Sequence, residues 1–171
     1  MTEGLHDLKL GESDQQIPVT TSEDCTQLML SLAQQAQHSL RLWSYDLDPR
    51  LTDTSEFVQA VRELATRHPR NEVRILVLDP DRAVKQGHRL IELSRRLPSS
   101  IEIRKIMEDY AHVAQAFVIA DERGILDRDL ADRFEGTANF NAPLRARELT
   151  KLFDEVWQKS QQFSEFRRLH L

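Results

Sequence analysis

The chain has 171 residues, 40% hydrophobic and 30% charged, with a formal net charge of -5 at pH 7. That length suits one domain with a single core, and the acidity argues against a general nucleic-acid binder, because phosphate contacts need a basic surface. No stretch approaches the ~18 to 20 consecutive apolar residues of a membrane helix, the acidic N-terminus lacks signal-peptide features, and the lone Cys25 has no partner for an internal disulfide; a cytoplasmic protein without membrane contact is expected.

Residues 1–21 have little apolar periodicity and are interrupted by Gly4, Gly11 and Pro18. They read as a flexible N-terminal arm ahead of a single domain over 22–171. A helix capped by Thr20, Thr21 or Ser22 follows, with Cys25, Leu28, Met29, Leu32, Ala33 and Ala36 on one face, so Cys25 reads as core. Ser39 to Tyr45 alternates as a strand and ends in Asp46-Leu-Asp48-Pro49. A second amphipathic helix runs from about Ser55 to Arg67 on Phe57, Val58, Val61, Leu64 and Ala65. Val73 to Leu78 is apolar except for Arg74, the pattern of a strand buried on both faces and central in a parallel sheet. Asp79 then caps a third helix that starts at Pro80 and reaches about Leu97.

Pro98-Ser-Ser100 is a turn and Ile101 to Met107 another strand. Phe117 to Ala120 is a short apolar strand that delivers Asp121 to an edge, and Glu122-Arg-Gly124 turns it into a hairpin with Ile125 and Leu126. Asp127 to Glu135 is a charged insert before Gly136-Thr-Ala-Asn-Phe140. The last helix starts near Leu144, carries Leu149, Leu152, Phe153, Val156 and Trp157 on one side, and is extended by a turn with Phe163, Phe166 and Leu169. The order predicts an α/β fold: a mixed, mostly parallel central sheet with helices on both faces.

Three groups of side chains could carry function. Asp46, Asp48, Asp79 and Asp81 follow two strands and could hold a hard cation, or serve as turn and cap residues. From Arg67 to Lys105 there are ten Lys and Arg against five Asp and Glu, and Arg82, Lys85, His88 and Arg89 there could touch a phosphate; the alternative is solvated helix faces with His88 on the surface. His112, just before the apolar strand, has no base or lysine at usable spacing. No His/Cys cluster has ligand spacing, so neither a metal nor a cofactor is expected.

The stretch Ala114-Gln-Ala116-Phe-Val-Ile-Ala-Asp121, followed by Gly136-Thr137-Ala-Asn139, resembles the signature of the phospholipase D superfamily, His-x-Lys-x4-Asp and then Gly-Ser/Thr-x-Asn. The resemblance covers roughly residues 22–160 and extends to a bacterial branch of that superfamily. In the family the histidine is the nucleophile, the lysine a fixed charge on the phosphate, and the aspartate orients the imidazole. Here the first two positions are Ala114 and Ala116, and alanine can neither attack nor give a proton. Fourteen residues separate Asp121 from Gly136 where the family usually has about six, so the loop over the pocket is rebuilt.

The resemblance therefore implies a degenerate, non-catalytic module with a vestigial anion pocket at Asp121, Gly136, Thr137, Asn139 and His112. Family enzymes join two such halves, and this chain holds one. A homodimer is thus implied, with Trp43, Trp157 or the Phe163 and Phe166 segment as apolar contacts. A phosphoester or nucleic-acid binder using residues 67–105, or a hydrolase relocated to Asp79, Asp81 and His112, are the alternatives.

Overall fold

A computed structural model describes residues 7–162. In chain order its elements are β1 (Ile17–Val19), α1 (Ser22–Gln35), β2 (Ser39–Ser44), α2 (Pro49–Thr52), α3 (Ser55–Arg67), β3 (Glu72–Val77), α4 (Asp81–Gln86), α5 (Arg89–Arg96), β4 (Ile101–Lys105), β5 (Ala116–Ala120), β6 (Gly124–Arg128), β7 (Gly136–Asn139), α6 (Pro143–Lys159) and β8 (Gln161–Gln162). One sheet contains all the described strands, in the order β1-β7-β6-β5-β2-β3-β4-β8.

The sheet is mixed but mostly antiparallel, which corrects the expected parallel majority. Only β2/β3 and β3/β4 pair parallel. The other five pairings, β1/β7, β2/β5, β4/β8, β5/β6 and β6/β7, are antiparallel. The cause lies between β4 and β5. Parallel neighbours need a crossover, usually a helix, that carries the chain back to the starting end. Residues 106–115 provide only one short 3-10 turn, Glu108–Tyr110, so β5 starts at the end where β4 stopped and runs back beside β2.

Alternation along the strands feeds two cores. Leu40, Leu42, Val73, Ile75 and Val77 pack with α1, α3 and α5 on one face. On the other face Trp43, Leu76, Phe117 and Ile119 meet Leu149, Phe153, Val156 and Trp157 of α6. Trp43 stacks on Phe117 with ring centroids 5.4 Å apart, and Phe153 on Trp157 at 5.7 Å. Both tryptophans are buried, so neither supplies the dimer contact expected of it. Phe163, Phe166 and Leu169 lie outside the described residues.

Two further expectations change. The third helix is broken into α4 and α5 at Gly87, whose φ of 81° and ψ of 147° belong to a region essentially reserved for glycine. The flexible arm does not hold for residues 7–21 either. Leu8 is buried in the core, β1 pairs with β7, and the Gln35 side chain clasps the segment, accepting from the Leu10 N–H at 2.8 Å and donating to the Leu8 carbonyl at 2.9 Å. A buried three-residue strand with Pro18 at its centre is too short to show periodicity. Among the described residues no helix is long and apolar enough to cross a membrane.

Candidate functional site

The residues retained from the signature are not gathered in one pocket. Asp121 ends β5 in a tight turn, at the opposite end of the strand from Ala114. At about 3.3 Å per residue, five residues separate it from Ala116 by roughly 16 Å. Its carboxylate accepts from the backbone N–H groups of Gln37 (2.9 Å), His38 (2.8 Å) and Ser39 (3.0 Å). It therefore fixes the start of β2, and the imidazole-orienting role implied for it has no geometric basis in this chain. Asn139 stands opposite Ile125 towards that same end, donating to Asp14 Oδ1 at 3.0 Å and accepting from the Asn141 N–H at 2.9 Å. Thr137 sits in β7 between Asp127 and Pro18. Gly136 is needed for close approach, since a Cβ there would lie 2.4 Å from the Asp127 carbonyl oxygen. His112 is exposed in the loop before β5.

Ala114 lies elsewhere, on the wall of a half-open cleft of about 630 Å3. The cleft forms where β2 and β3 end and β5 begins, with Tyr45, Asp46 and Asp48 after β2 and Leu78 after β3. The far wall is the insert, through Leu130, Ala131, Asp132 and Phe134. Ala116 is buried, and directly opposite it across the β5/β6 ladder is Arg128. Arg128 is buried too, and its Nη1 donates to the carbonyls of Arg133 (2.8 Å) and Ala131 (3.3 Å). The cation opposite Ala116 thus holds the insert in shape.

Asp48 caps α2, accepting from the Arg50 N–H at 3.0 Å and pairing with the Arg50 guanidinium at 2.7 Å. Burial alone would raise its carboxyl pKa. The hydrogen bonds and charge of Arg50, with Arg128 behind them, outweigh burial and hold it below the usual carboxylate range. Burial and the nearby Asp48 charge push Asp46 up, with Asp79 adding to the shift and Arg82 opposing it. A cation brought beside Asp46 would relieve that cost.

The other candidates are dispersed. Asp79 accepts from the Asp81 N–H at 3.2 Å, and both side chains are exposed. Among the described residues no group of three or more His, Cys, Asp or Glu is placed to hold a metal ion. His88, expected on the surface, is buried. Its Nδ1 accepts from the Leu90 N–H at 3.1 Å and its Nε2 lies 3.1 Å from the Leu47 carbonyl and 3.0 Å from Thr52 Oγ1, which fixes the neutral ring with the proton on Nε2. Nor do the basic residues of 67–105 form one face. Arg74 and Arg104 lie over the Trp157 ring on the α6 side, Arg67 donates to the Ala36 carbonyl, and Arg82, Lys85 and Arg89 are exposed on α4 and α5.

A family model described as a domain of unknown function, DUF7931, matches residues 21–169. The chain belongs to that family. No curated protein matches this DUF7931 chain in sequence. Solved structures do match it in fold. Nuc from Salmonella typhimurium, a phospholipase D family member, is 16% identical with a TM-score of 0.61, over 87% of this chain and 99% of that one. NucT from Helicobacter pylori is 12% identical with a TM-score of 0.64, over 87% and 99%. TrmBL2, an archaeal chromatin protein with a novel mode of DNA binding, is 16% identical with a TM-score of 0.64. The DUF7931 chain spans 59% of the TrmBL2 chain, which covers 94% of it in turn. At these identities the likeness is one of fold, and that fold is phospholipase D-like.

Proposed function

We propose that this chain is a non-catalytic phospholipase D-like binding module that works as a homodimer through the cleft at the ends of β2 and β3. Ala114 on the cleft wall carries this reading: the position that the signature gives to the nucleophile is a methyl group, and covalent phosphoryl transfer needs a lone pair there. The cleft itself remains open and lies where α/β sheets bind ligands, beyond the carboxyl ends of parallel strands. Light scattering across a concentration series tests the assembly, with a dimer as the expected result. A monomer at every concentration contradicts it, and turnover of a simple aryl phosphodiester by the purified chain contradicts the loss of catalysis.

A second reading is phosphoester or nucleic-acid binding by Arg82, Lys85 and Arg89. Its support is the fold shared with TrmBL2, an archaeal chromatin protein that binds DNA. It requires oligonucleotide binding that weakens steeply with salt, and flat titrations at low salt dispose of it.

A further inference from the structure

We infer that the cleft receives residues 163–171 of a second copy of this chain, an inference that rests on the homodimer reading and names the contact that makes it. The cleft end of the molecule has a distinct charge. The loops that bound it, 45–50, 78–82, 107–114 and 128–135, carry nine carboxylates and four arginines. That excess of five accounts for the whole formal charge of -5, so the rest of the chain is balanced. A phosphodiester is repelled from such a surface and a basic segment is drawn to it.

The cleft is also apolar where it is open. Among the described residues three large hydrophobic side chains are exposed, and two of them, Tyr45 (50% exposed) and Leu130 (40%), line it. The cations at its wall are already engaged: Arg50 pairs with Asp48 and lies over the Phe134 ring at 4.9 Å, and Arg128 is bound to backbone carbonyls. Asp46 and Asp132 form no ion pair with any described residue. The occupant that fits combines apolar side chains with cations.

Residues 163–171 have that composition. They combine Phe163, Phe166, Leu169 and Leu171 with Arg167, Arg168 and His170, against one acidic side chain, Glu165. The register of β8 favours a partner's segment over the chain's own. Gln161 is opposite Lys105 and Gln162 opposite Arg104, so the chain at Gln162 is travelling towards Ile101, away from the cleft end of the sheet. A two-fold partner offers its segment to this cleft and receives the other in exchange, a self-complementary interface.

A charge swap in the full chain tests this, read as the dimer dissociation constant by sedimentation equilibrium, with circular dichroism confirming each fold. Arg167→Asp with Arg168→Asp weakens the dimer by about tenfold or more, as does Asp132→Arg at its exposed cleft position, and combining them recovers most of the affinity. A dimer insensitive to either change overturns the inference and leaves the homodimer reading standing. So does weakening by the segment variant that Asp132→Arg fails to rescue. A wild-type monomer overturns both.

Discussion

Asp121 accepts three backbone N–H groups at the start of β2 while its own φ is 53°. Aspartate tolerates that left-handed backbone better than most residues and here supplies the acceptor as well. Asp121→Ala loses both advantages, and we expect a cost of about 2–3 kcal/mol, read from urea unfolding, with little change in the cleft. His88 makes a second, pH-dependent case. Burial pushes its pKa below the ordinary value of about 6.5, against the opposing effects of the Asp53 charge and the Leu47 carbonyl. In the window between the depressed folded pKa and the unfolded value, the unfolded chain binds the extra proton. Stability is therefore complete above about pH 6.5 and falls as pH drops through that window. The urea midpoint of the wild type should fall there, and His88→Asn, which retains a capping oxygen, should remove this component.

Helix and strand positions follow the periodicity of the sequence closely. The helix expected from about Ser55 to Arg67 has those ends, because Thr54 accepts the Phe57 N–H and the apolar stripe stops at Ala65. Where the expectation failed, the deciding contact is distant in sequence. Gly87 looks tolerable inside a helix until His88 is seen to cap α5 from a site built by Leu47 and Thr52, 41 and 36 residues away. Nothing lies within 4 Å of a Cβ added at Gly87, so Gly87→Ala isolates backbone strain from crowding. A loss of about 1–3 kcal/mol in urea unfolding is expected, and an unchanged midpoint would show that the α4–α5 break is optional. In the site, the offset from Asp121 to Ala114 made legible that alanine stands where the resemblance implies a nucleophile. That Asp121 and Asn139 serve the far end of the sheet was not, since it depends on how β5, β6 and β7 pair.

Across the whole molecule, one end of the sheet is structural and the other is open. At the first end Asp121, Asn139 and residues 7–21 fasten strands together. At the other, four loops concentrate the negative charge around a cleft with exposed Tyr45 and Leu130. In this phospholipase D-like fold the cleft is open and carries Ala114 on its wall. The most direct test of the cleft as the working surface is hydrogen–deuterium exchange of the full chain at low and high concentration. The account predicts concentration-dependent protection in 45–50, 111–114 and 128–134, with none added at 37–39 and 121–123. Protection that rises at the structural end while the cleft loops stay unchanged would contradict it.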